Sequence, residues 1–149
     1  MSSDGGQYVI EKIGRAQDLA ANDDRDGARA LYADLWAEAT RTNDQYQACV
    51  VAHFMAHAHI EPEAQLDWHL RALHAADTVG DERVRPFYPS LYANIGEVYL
   101  RLGNLAQARK YIAKARETEH ILQDDGYGRM IRSLIVRVAQ AVEHNNAHS

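Results

Sequence analysis

The chain has 149 residues, enough for one domain with a real core, and 46% of them are apolar. A net charge of −5 leaves no electrostatic footprint for nucleic acid, and no apolar run nears the roughly 20 residues that cross a bilayer. The one cysteine, Cys49, has no internal disulfide partner, which fits a reducing compartment and a cytoplasmic location.

Residues 1–6 lack both a basic head and an apolar stretch, so they are expected as a flexible tail rather than a signal peptide. Beyond them apolar residues recur every three or four positions, the period of a helix face. That pattern predicts seven helices, near 7–21, 26–41, 44–60, 62–79, 87–102, 104–120 and 126–144. Together they make a helical domain over 7–144, with a second flexible tail at 145–149.

Punctuation residues explain the boundaries. Pro62 suits a first helical turn, where its missing N–H costs nothing, and Glu61 and Glu63 suit the positive helix end. Gly80 and Gly103 stand just past helical runs, where a left-handed residue closes the last turn. Pro86 and Pro89 bracket the start of the fifth helix, and Asn104 with Gln107 forms a capping box for the sixth. Connections this short between helices of this length imply antiparallel neighbours packed in pairs. Acids outnumber bases over 1–68 and bases outnumber acids over 101–137, an asymmetry able to orient a partner or a second copy.

Internal similarity decides the fold. Tyr92, Ile95, Gly96 and Tyr99 fall at the spacing W-x2-L-G-x2-Y, Gly103 makes a turn, and Ala108, Ile112 and Ala115 follow at the spacing A-x3-F-x2-A. Small residues at Gly96 and Ala108 would let two helices approach closely, while the larger residues fill the space around them. This segment resembles a tetratricopeptide repeat. A weaker copy has Ala16, Leu19, Ala28, Tyr32 and Leu35; another has Cys49, Ala52, His53 and Ala56 before Gln65, His69 and Ala72. In that copy His53 takes the slot of Gly96 and Gln65 that of Ala108, and His120 stands where the third copy would close on proline. The small-residue slot steps by 37 and then 43 residues, against a family period of about 34. The resemblance therefore covers residues 7–120 and implies an all-α fold. Antiparallel helical hairpins would form a short solenoid of about three repeats, with the last helix at its end.

That last helix carries Tyr127, Met130, Ile131, Leu134, Ile135, Val138 and Val142 on a broad apolar side, with Arg129, Arg132 and Arg137 outside it. It serves either as a cap on the solenoid or as the seam of a homodimer.

In the resembled family, peptides lie along the first helices of successive repeats. Carried over residue by residue, the concave groove presents Ile13, Gln17, Val50, Phe54, His57, Asn94, Glu97 and Arg101. Relatives that clamp acidic C-terminal peptides use lysine, arginine and asparagine there, and only Asn94 matches, so apolar contact centred on an exposed Phe54 is expected instead. The implied function is a protein-interaction module that takes a peptide or partner helix. Alternatives are a metal or small-molecule sensor using the histidine-lined second hairpin, or a structural homo-oligomer.

His53 and His57 are one turn apart, a spacing able to hold a metal from one helix face, and His69 lies on the next helix. No motif fixes a further ligand, and the repeat slots put His53 and His69 inside a hairpin. The expectation is structural histidines and no metal, these three being the candidates otherwise. Cys49 is expected as a small core residue. No G-x-S-x-G, phosphate-binding glycine loop, H-E-x-x-H or C-x-x-C occurs, which argues against an enzyme or a cofactor.

Overall fold

The computed structural model describes the backbone of residues 2–148 and the side chains of residues 8–145. Seven α-helices and no strand occur among the described residues. They are α1 (Ser2–Ala21), α2 (Arg25–Arg41), α3 (Gln45–Ala58), α4 (Pro62–Val79), α5 (Tyr88–Arg101), α6 (Leu105–Thr118) and α7 (Gly126–His148). Single 3-10 turns at Arg85–Phe87 and Glu119–Ile121 precede α5 and follow α6. The first helix starts at Ser2 and the last ends at His148, so both run past the expected limits of 7 and 144. Of the expected tails, Met1 and Ser149, and the side chains of residues 1–7 and 146–149, lie outside the described residues.

Three of the connections are one device used three times. After α1, α2 and α5 a residue takes positive φ: Asp23 at 67°, Asn43 at 56° and Gly103 at 80°. The next residue donates its N–H back into the helix just ended, Asp24 to Leu19 O at 2.7 Å, Asp44 to Ala39 O at 2.8 Å and Asn104 to Tyr99 O at 2.9 Å. The side chains of Asp24, Asp44 and Asn104 then accept from the N–H groups of Gly27, Gln47 and Gln107, so each residue opens the following helix. Such caps typically contribute about 1 kcal/mol each. Asn and Asp replace glycine at two of these turns because their short polar side chains tolerate the left-handed region. Gly80, after α4, also takes positive φ, at 62°.

The chain divides into two compact units, Met1–Val79 and Gly80–Ser149. In the first, α1 packs on α2, α2 on α3, and α3 most extensively on α4. Its core gathers Ala16, Ala28, Tyr32, Leu35, Val51, Met55 and Ala58, with Trp36, Phe54 and Trp68 packed against it. Trp36 and Trp68 meet edge to face at 5.1 Å, and the Arg71 guanidinium lies 4.3 Å from the Trp68 ring centre.

In the second unit, α5 and α6 form a hairpin and α7 packs on both. Gly96 is buried where they meet: a β-carbon added there would lie 3.4 Å from Ile112 N and 3.5 Å from Ala108 O. The small-residue slot thus marks a close helix contact. Ala93, Ala108, Ile112 and Ala115 are closed over by Ile131, Leu134, Ile135, Val138 and Val142 of α7. Most of the apolar side of α7 is therefore used within its own unit, while Tyr127 and Met130 stay 49% and 58% exposed. At its start Gly128 is required, since a β-carbon would fall 1.9 Å from Gln123 O.

Candidate functional site

The expected groove positions divide into an accessible set and an occupied set. In the N-terminal unit, Ile13 and Gln17 are one turn apart on α1, while Val50, Phe54 and His57 follow one another along one side of α3. Gln17 and His57 are exposed; Ile13, Val50 and Phe54 are half-buried. Ile13 and Phe54 pack against the same core, which ties the two helices' apolar positions together.

Phe54 departs from its expected role as a free anchor. Its ring stacks on Tyr32 of α2, with centroids 5.9 Å apart and planes 14° from parallel. A helix position that also borders the core draws a large apolar side chain inward, because burying a phenylalanine is worth about 1.5–3 kcal/mol. The half-buried apolar positions of this set are Ile13 on α1 and Val50 and Phe54 on α3, while Gln17 and His57 are exposed.

In the C-terminal unit the expected positions are engaged. Asn94 is only 7% exposed, and its amide donates to Ser90 O at 2.8 Å and Ser90 Oγ at 3.2 Å, one turn back on its own helix. Glu97 accepts from Arg137 of α7 at 3.0 Å and lies 3.8 Å from Arg101. An asparagine spent on its own helix offers nothing to an acidic peptide.

The histidines converge more than their spacing along the chain required. Ring centroids of His53 and His57 are 4.8 Å apart, those of His57 and His69 5.2 Å, and those of His53 and His69 5.7 Å. The first two share α3 one turn apart; α4, antiparallel across the hairpin, supplies His69. His53, which the sequence reading aligned with Gly96, meets His69 across the α3–α4 hairpin. Burial, helped by the nearby His57, pushes the His53 pKa down to about 4, so the ring is neutral near pH 7. His53 Nδ1 is closed off from solvent and has no hydrogen-bond partner, an arrangement that typically costs about 1–3 kcal/mol. His69 is buried and His57 exposed, so the cluster runs from the hairpin interior to the surface.

Cys49, one turn before His53, is buried, and burial assisted by the charge of Asp77 pushes its thiol up to about 12. A thiol held protonated is a packing group, consistent with the sequence expectation. The Trp36–Trp68–Arg71 cluster was not legible as a unit, because its members come from two helices and lie more than thirty residues apart at the extremes. Two tryptophans in so short a chain were the only available signal.

No helix among the described residues is long and apolar enough to cross a membrane. The chain matches no known family model and no curated protein sequence.

Proposed function

We propose that the chain is a protein-interaction module of tetratricopeptide type, which binds a peptide or partner helix rather than transforming a substrate. The observation that carries this reading is the strip Ile13, Gln17, Val50, Phe54 and His57. Ile13, Val50 and Phe54 are half-buried, Ile13 and Phe54 against one core, and Gln17 and His57 are open to solvent. A partly apolar surface on rigid helices, with polar groups at its edge, is the usual make-up of an interaction patch. The repeat-like α5–α6 hairpin around Gly96 supports the tetratricopeptide character. The occupied state of Asn94, Glu97 and Arg101 supports contact through the N-terminal unit instead of an acidic-tail clamp.

Photo-crosslinking residues placed at Gln17 or His57, with Lys110 on α6 as control, test the reading in the native host. A discrete crosslinked partner is expected from the first two positions and not from the third. Val50→Glu should weaken that capture about tenfold or more while leaving the melting temperature within a few degrees. Crosslinks that are absent, or equal at all three positions, would place the binding surface elsewhere. Capture of a second copy of this chain would assign the strip to a homodimer.

A further inference from the structure

We propose that the α3–α4 hairpin is an acid-opened joint: proton uptake on His53, packed ring against ring on His69, parts α4 from α3. The joint needs no partner on the interaction strip and no ligand among the histidines. An imidazolium carries an N–H on both ring nitrogens and needs an acceptor or water for each. His53 is half-buried as a residue, yet its Nδ1 is sealed from solvent and has no hydrogen-bond partner. A neutral ring bears this at a modest penalty. A charged ring leaves a charged donor unanswered inside a helix contact, which is the more expensive case.

The elements packed on α3 are α2 and α4, and among the described residues neither brings a carboxylate that acts on His53. From α4 it meets the buried ring of His69, with centroids 5.7 Å apart. From α2, Tyr32 stacks on the adjoining Phe54. On α3 itself Cys49 is held as a neutral thiol, and His57, 4.8 Å away and exposed, adds repulsion when it charges. The carboxylates of this hairpin act on other groups: Asp77 on Cys49, and Glu61 and Asp67 on His59, where Arg29 of α2 opposes them. Nothing in the contact therefore holds a positive ring in place.

Burial and His57 both push the His53 pKa the same way, down to about 4. A histidine lowered on folding contributes stability that is complete above its unfolded value near 6.5 and is lost as pH falls toward 4. The contact between α3 and α4 is the most extensive in its unit, and His53 and His69 lie within it. Water reaches the sealed nitrogen only by entering between these two helices. Acid thus acts on one joint, while the α5–α6 hairpin, whose core is alanine and aliphatic, has no such ring to charge.

The test is hydrogen–deuterium exchange on the full chain at pH 7.5 and pH 5.0, with labelling times scaled for the intrinsic pH dependence of amide exchange. A pKa that moves from 6.5 to about 4 on folding should raise the opening constant of the α3–α4 hairpin about thirtyfold at pH 5.0. Amides of α5 and α6 should change severalfold less. His53→Leu and His53→Gln remove the titrating ring, and each should cut the rise in α3 and α4 about tenfold. His74→Ala, at an exposed position on α4, should leave that rise as in the parent. Equal gains in exchange for α3–α4 and α5–α6 on acidification would overturn the joint, and so would a full rise in the His53 variants. Should a His53 variant prove unfolded at pH 7.5, the comparison of segments in the parent chain decides alone.

Discussion

At the scale of single residues, solvent exclusion governs reactivity in this chain. Cys49 sits on the buried side of α3 with its thiol lifted to about 12, against an ordinary value near 9. At pH 8 that leaves on the order of a thousandfold less thiolate than an exposed cysteine would carry. Native protein should therefore resist Ellman's reagent at pH 8 and react promptly once unfolded in urea; prompt native reaction would show Cys49 accessible. The sign of the linked stability is fixed by the direction of the shift. A pKa raised on folding contributes stability that is complete below about 9 and is lost as pH climbs toward 12, so the protein should melt earlier across that window. Cys49→Ser should flatten this alkaline loss. Phe54 illustrates the same rule for an apolar side chain: the proximity of Tyr32 on α2 decided that it is half-buried, and neither its own helix nor its sequence neighbours reveal that.

At the scale of elements, the hairpin contact is set by the volume of one residue. Gly96 faces Ala108 O and Ile112 N at distances that a methyl group meets as ordinary van der Waals contact. Gly96→Ala should accordingly be neutral or raise stability by up to about 1 kcal/mol, since glycine inside a helix costs that much in conformational entropy. Gly96→Leu should lower stability by about 2–3 kcal/mol, because the branched chain must push α5 and α6 apart. Urea denaturation midpoints of the two variants check both statements, and equal midpoints for Leu and the parent would refute the contact. This register was legible because the repeat pattern around Tyr92–Ala115 is local. In the α3–α4 hairpin the same slots predicted that His53 and His69 face the interior, and they do meet there. They did not predict that His57 joins them.

At the scale of the whole molecule, two units each close their own core. The second relies on its last helix: Ile131, Leu134, Ile135, Val138 and Val142 cover the alanines and isoleucine of the α5–α6 hairpin. Five aliphatic side chains at about 1.5–3 kcal/mol each are comparable with the whole stability of about 5–15 kcal/mol that a folded domain usually has. A chain ending at residue 125 should therefore lose hydrogen-exchange protection throughout α5 and α6. Protection retained there would mean that the hairpin stands without α7. Among the apolar residues of α7, Tyr127, Met130 and Val136 remain largely exposed, which leaves some of that helix's surface for contacts outside the unit.

The sequence by itself determined where the internal helices start and stop to within a few residues, because those choices rest on a few consecutive residues. It placed the outer ends of α1 and α7 too far inward. Pro62 opens α4, Gly103 and Asn104 separate α5 from α6, and apolar spacing names the buried faces. It also determined that Gly96 and Ala108 would lie at a close helix contact, since hairpin geometry follows from short connections. Left-handed Asp23 and Asn43 were harder to anticipate, because asparagine and aspartate serve equally well as caps. Tertiary structure alone decided the fate of the candidate site. Whether Asn94 reaches solvent, whether Glu97 is already paired and whether three imidazoles share one corner all depend on which helix lies across each position. Those partners are 16 residues away for His53 and His69, and 40 for Glu97 and Arg137. Helical periodicity tells which side of a helix is apolar. It carries no information about the side chain on another helix that will meet it.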